Sequence, residues 1–244
     1  MVPVAAIGRA CKASTSLDQW ELLDSGQVPG SNSFMQLLRR GREHVIRVDG
    51  RELMSNRVHG SEDALAELAC DRLAQNRRDL RNARVLIGGL GIGFTLAAAL
   101  ARVGAEASVT VAELVPKVIE WNRGVLGEAA GHPILDPRTV IYPGDVTDLI
   151  LRPPKPWDVV LLDVDNGPVG LTRASNGRLY SFEGLALAYR ALAQGGALGV
   201  WSASPDDAFT RRLIKVGFEN VRPVRVRARG KKGGMMHVIW IASV

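Results

Sequence analysis

The chain is poor in cysteine: its only two, Cys11 and Cys70, form neither a CxxC pair nor a His/Cys cluster of metal-ligand spacing. A disulfide framework and a zinc site are thereby disfavoured, and no metal is expected. Cys70 falls in a helical pattern and is expected in the core. Long apolar runs are also missing. The first apolar stretch, Val2 to Ile7, is far shorter than a signal-peptide h-region, has no basic residues ahead of it, and nothing later approaches the ~18 residues of a spanning helix. A membrane class is excluded and a cytoplasmic location expected. Cationic residues are not interleaved with aromatics and no binding module is present, so a nucleic-acid partner is left open without support.

What is present fits one α/β unit with a small appendage, because domains run to roughly 250 residues and the chain has 244. Apolar residues at 46% and charged residues at 23% lie in the ordinary globular range, which excludes disorder. The net charge of +6 is unevenly placed: Arg222, Arg225, Arg227, Arg229, Lys231 and Lys232 fall close together near the C-terminus. This cluster reads either as a solvated hairpin edge that discourages aggregation or as an anion-facing flap over a site.

Residues 1–18 carry no periodicity and read as a loose arm. From Trp20 to about Asn56, short runs such as "FMQLLRRG" and "HVIRVDG" are separated by Gly and Asp, which predicts an antiparallel meander and a β-rich subdomain over 19–60. It is too small to hold a core alone and must pack on the rest of the chain. A helix is predicted from Ser61, with Ser61 as its cap and Glu62 and Asp63 suited to its positive end. Over 61–244, strands and helices then alternate: strands at 84–88, 107–113, 138–142, 158–163 and 196–202, helices at 93–103, 116–126, 182–193 and 205–216. Alternation of this kind predicts an α/β fold with a doubly wound, mostly parallel sheet. "NVRPVRVRARG", "KKGG" and "MMHVIWIASV" add an antiparallel C-terminal hairpin. The layout is that of class I methyltransferase-like, Rossmann-type folds.

Chemistry concentrates at the strand ends. In "RVLIGGLGIGF" a strand runs into Gly89, Gly91 and Gly93, where the backbone can turn tightly and approach a ligand. A dinucleotide fingerprint would need Gly or Ala at position 94, which is Phe, so a nicotinamide cofactor is disfavoured. Gly89-x-Gly91-x-Gly93 instead resembles motif I of AdoMet-binding transferases. Glu113, at the next strand terminus, is placed either to accept from both ribose hydroxyls or to cap the following helix. Asp145, with Val146 beside it, is placed either at an adenine amino group or as a helix N-cap. In "LLDVDNGPVG", Asp163 and Asp165 end the fourth strand at the topological switch point, where open α/β sheets bind ligands. They are candidate catalytic residues that hold an amine and take its proton, or else they satisfy loop amides before Gly167. The NPPY-type segment of N6-adenine or glutamine methyltransferases is absent after that strand.

Taken together, "VLIGGLGIGF", "VAELVPKVIE", "YPGDVTD", "WDVVLLDVDNGP" and "LYSFEGLALAYRALAQGGALGVW" resemble the spermidine synthase family of polyamine aminopropyltransferases over about residues 84 to 202. The resemblance implies an α/β domain that binds decarboxylated AdoMet, or the methylthioadenosine product, and passes an aminopropyl group to putrescine, and self-association as a dimer or tetramer. Carried over by position, Gly89 and Gly93 shape the nucleoside loop, Glu113 holds ribose, Asp145 contacts adenine, and Asp163 is the base. There are departures. The family loop GGGDGG has an Asp for the donor's ammonium where this chain has Gly91. The D-x-x-D-P-x-G-P segment is altered after Asp163, and the upstream Gln and Tyr-His pair are represented only by His59. The cationic cluster would also repel a doubly charged diamine. Three functions are expected as alternatives: aminopropyl transfer from decarboxylated AdoMet, methyl transfer from AdoMet outside polyamine synthesis, or nucleoside binding without catalysis.

Overall fold

Period-two alternation in the apolar strands builds two cores, one on each face of a sheet. The structure, a computed structural model, describes residues 19–76, 78–164 and 176–244. A small antiparallel sheet comes first, from β1 (Glu21–Gln27), β2 (Phe34–Arg40), β3 (Glu43–Val48) and β4 (Arg51–Ser55), paired in chain order. Helix α1 (Gly60–Gln75) leads into β5 (Arg84–Gly88), α2 (Phe94–Arg102), β6 (Ser108–Ala112), α3 (Pro116–Arg123), the short α4 (Gly127–Ala130), β7 (Thr139–Tyr142), α5 (Val146–Leu151) and β8 (Trp157–Leu162). After α6 (Asn176–Leu179) come α7 (Phe182–Ala191), β9 (Leu192–Ser202), α8 (Asp207–Val216), β10 (Glu219–Arg227) and β11 (Met236–Ser243).

The large sheet has the order β10-β11-β9-β8-β5-β6-β7, parallel from β9 to β7, with β11 antiparallel to both β9 and β10. On one face Val85, Ile87, Val159 and Leu161 pack against Leu65, Ala69 and Leu73 of α1 and Leu96 of α2. On the other, Leu86, Val160 and Leu162 pack against Leu185 and Ala188 of α7 and Phe209 of α8. Met35, Leu37 and Ile46 of the small sheet join the first of these cores. Among the described residues, no helix is long and apolar enough to cross a membrane.

Boundaries differ from expectation in two instructive places. Helix α1 begins at Gly60 with His59 as its N-cap residue, so Ser61 lies inside the first turn and does not cap. The reason is packing: Ser61 is buried with its Oγ 2.9 Å from His237 Nδ1, and Gly60 N–H donates to Ala228 O at 2.8 Å. A Cβ at Gly60 would lie 2.3 Å from Gly230 N, so the helix start is pressed against the C-terminal hairpin. Further on, Leu192 pairs with Trp157 and opens β9, which ends α7 two residues before its expected stop.

Candidate active site

The carboxyl ends of β5 and β8 meet through backbone. Asp163 N–H donates to Gly88 O at 3.0 Å. Gly89, at φ +91°, leaves no room for a side chain, because a Cβ there would lie 2.3 Å from Asp163 O. Gly91 has φ +55° and faces the small sheet: a Cβ would sit 3.1 Å from Met54 Sδ. A residue with a side chain at either position must strain the backbone and displace a neighbour.

Glu113 follows β6 and is 8% exposed. Its Oε2 accepts from Leu90 N–H at 2.9 Å and its Oε1 from Val115 N–H at 2.8 Å. Burial pushes its carboxyl up, while the amides of Val115 and Leu90 oppose the change. The Leu114 and Gly91 amides also hydrogen-bond to it, so the carboxylate is held by the loops on either side of it. Asp145 is the N-cap of α5, its Oδ1 accepting from Thr147 N–H at 2.8 Å. Val146 packs its methyls against Gly88, 3.1 Å from where a Cβ would stand.

Asp163 directly follows β8, and its Oδ2 accepts from Thr95 Oγ1 at 2.7 Å. Burial pushes its carboxyl up to about 6, with the Thr95 hydroxyl pulling the other way. Two cavities meet at this residue. The smaller, about 150 Å³, is lined by Gly89, Gly91, Glu113, Asp145, Val146 and Asp163, with Met35, Ile46 and Met54 of the small sheet on its far side. The larger, about 500 Å³, is lined by Glu62, Phe94, Thr95, Asp163, Trp201 and His237 among others. Leu53, Met54, Gly91 and Asp163 belong to both walls.

Six of the residues singled out in sequence thus converge on one cavity. Gly93 lines neither cavity: it is the N-cap residue of α2, and a Cβ there would meet Asn122 Oδ1 and Pro133 Cγ, each at 3.1 Å. Asp165 lies outside the described residues. His59 is taken up structurally, with Nδ1 2.7 Å from Asp63 Oδ2 and its ring stacked on Phe94 at 4.1 Å. In the cationic cluster, β10 is the sheet edge with Arg222, Arg225 and Arg227 exposed, which suits the edge reading, whereas Arg229 lines the larger cavity. Among the described residues there is no group of three or more His, Cys, Asp or Glu placed to hold a metal ion. Thr95, Met54 and Glu62 carry no sequence signal of their own. Their importance arises from α1, α2 and β4 crossing the strand ends.

No family model matches the chain. Over 124 residues, half of this chain, it is 36% identical to polyamine aminopropyltransferases of Mycobacterium tuberculosis and Mycobacterium bovis. The chain spans about a quarter of the length of these curated relatives, the match covering 23% of them. Among solved structures, a spermidine synthase in complex with the transition-state analogue AdoDATO superposes with a TM-score of 0.70 at 22% identity, covering 91% of this chain and 72% of that one. Spermidine synthase from Thermotoga maritima gives a TM-score of 0.71 at 22% identity with the same coverage. The fold is therefore that of the spermidine synthases.

Proposed function

We propose that this spermidine synthase-like chain binds a sulfonium nucleoside of the AdoMet type in the smaller cavity and transfers an alkyl group from it to an amine in the larger one. The observation that carries the reading is Asp163, a buried carboxylate at the boundary of both spaces whose pKa burial pushes up to about 6. Neither cavity has a cation beside this group that would explain it as half of a structural ion pair, among the described residues.

The donor fits the residues present. Glu113 lines the cavity where a carboxylate suits a ribose diol, Val146 offers an apolar face for adenine with Asp145 near it, and Gly89 and Gly91 bring bare backbone to the cavity wall. Asp163 then acts as base. The acceptor's ammonium gives its proton to the carboxylate, and the freed lone pair attacks the carbon bonded to sulfur. A C–N bond forms as the C–S bond breaks, the bonding pair remaining on sulfur as a neutral thioether. A base near pH 6 matches this task at neutral pH.

The polyamine aminopropyltransferase relatives favour decarboxylated AdoMet and an aminopropyl group. One contact favours a second reading, methyl transfer from AdoMet. Where the related loop carries an Asp for the donor's ammonium, this chain has Gly91, and the space beside it is filled by Met54. Calorimetry with AdoMet, decarboxylated AdoMet and methylthioadenosine tests both. Tighter binding of the decarboxylated donor supports aminopropyl transfer and tighter binding of AdoMet supports methylation. Failure of all three to bind sinks the enzyme reading.

A further inference from the structure

We propose that the C-terminal hairpin is a docking surface for an anionic membrane, on which the chain lies without spanning it: the cations of β10 and of the turn after it meet lipid phosphates, and Met235 and Met236 enter the headgroup layer. The inference goes beyond the transferase reading and does not depend on it.

Residues 220–244 carry six cations, Arg222, Arg225, Arg227, Arg229, Lys231 and Lys232, and no Asp or Glu. Their charge equals the net charge of +6, so the rest of the chain, with 25 Lys and Arg against 25 Asp and Glu, is balanced. All six are exposed, and among the described residues none takes part in an ion pair. Charged side chains on a strand edge discourage pairing with another sheet, and Arg222, Arg225 and Arg227 serve that end on β10, with Pro223 among them. Arg229, Lys231 and Lys232 lie past the end of β10, where no strand edge is left to protect. Beside them stand two large apolar side chains, Met235 at 74% and Met236 at 46% exposed. Adjacent exposed methionines work against solubility, whereas cations flanking an apolar tip fit a layer of phosphates over acyl chains.

The tip is held in one shape by its own backbone. Ala228 N–H donates to Met235 O at 2.8 Å, Arg229 N–H to Gly233 O at 2.9 Å and Lys232 N–H to Arg229 O at 3.1 Å. Ala228 O also accepts from Gly60 N–H, which fastens the tip to the start of α1. Cations on so fixed a frame need little ordering on contact. Met236 pairs with Arg227 across the ladder, which puts an apolar and a cationic side chain on one face. A nucleic acid would meet the charge equally well but gives the methionines no role. Protein surfaces that hold single strands stack bases on aromatic rings, and residues 220–236 contain none. Arg229 and Met235 also line the larger cavity, so docking sets that wall of the cavity against the headgroups.

The test is co-sedimentation of the full chain with vesicles of phosphatidylcholine alone and of phosphatidylcholine containing about one-third phosphatidylglycerol. Binding is expected to the anionic vesicles alone, and it should weaken as salt is raised, since exposed charges are screened. Lys231→Glu together with Lys232→Glu should weaken it more than about tenfold, at roughly fivefold per lost cation. Met235→Ser together with Met236→Ser should weaken it about fivefold or more while leaving the affinity for a single-stranded oligonucleotide unchanged. All four changes fall on exposed side chains, so urea midpoints should match the wild type's, and the lipid and salt dependence of the wild type is read without any variant. No sedimentation with anionic vesicles, equal binding to both lipids, or undiminished binding by either double variant overturns the inference. So does binding of the oligonucleotide at salt that abolishes vesicle binding, which would assign the surface to nucleic acid.

Discussion

Replacing Asp163 by Asn should make the protein more stable and inactive at once. The wild-type carboxyl is pushed from 3.8 up to about 6, burial being the larger cause. At about 1.36 kcal/mol per tenfold change in proton affinity, that preference for the neutral form corresponds to about 3 kcal/mol. Water entering the cavity screens part of it, so about 1.5 to 3 kcal/mol is the expected range. The sign comes from linkage: the folded chain holds this proton more tightly than the unfolded chain. The contribution is fully present below about pH 4, is lost as pH rises through about 6, and stays lost above. Asn is neutral throughout, and its amide oxygen can still accept from Thr95. Urea unfolding of both proteins at pH 4, 6 and 8 measures the difference directly. The variant should gain little at pH 4 and the full amount at pH 8, with thermal midpoints higher by roughly 2–4 °C per kcal/mol for a chain of this size. A variant equally destabilised at every pH would refute the reasoning, because Asp163 would then be a satisfied structural group.

Glu113→Ala should weaken methylthioadenosine binding by about 1 to 3 kcal/mol in calorimetry, since the ribose loses its acceptor and the Leu90 and Val115 amides lose theirs. Gly89→Ala should cost about 2 kcal/mol or more in urea unfolding, given φ +91° and a Cβ 2.3 Å from Asp163 O; an unaffected midpoint would mean the loop relaxes freely. Asp145→Ala should lose about 1 kcal/mol through the missing cap of α5, again by urea unfolding, in addition to any effect on adenine. Cys70, fully buried with its thiol pushed up to about 11, should stay silent to a thiol reagent such as Ellman's until the chain unfolds.

The sheet was readable because its strands advertise themselves. Runs such as "VLIG" and "VVLL" are apolar on both faces, which only a doubly covered strand tolerates, and the residue just past each is forced to the sheet's carboxyl edge. Glu113 and Asp163 could therefore be placed before their neighbours were known. Glu62 could not. Its sequence context is an ordinary helix start, and only the docking of α1 onto the hairpin through Gly60 and Ser61 turns it into a cavity wall. Ser61 misled for the same reason, since its role as a cap yields to a long-range partner 176 positions away. Met54 is hidden in the same manner, for nothing in "RELMSN" tells which glycine its sulfur will cover.

On the proposed transferase reading, Met54 also ties donor and acceptor selection together. Its side chain forms part of both chambers while blocking the place beside Gly91. A change of volume at this single position would redraw what each chamber admits, so drift in acceptor choice would drag donor choice along with it. Engineering either preference alone would have to begin from residues the chambers do not hold in common.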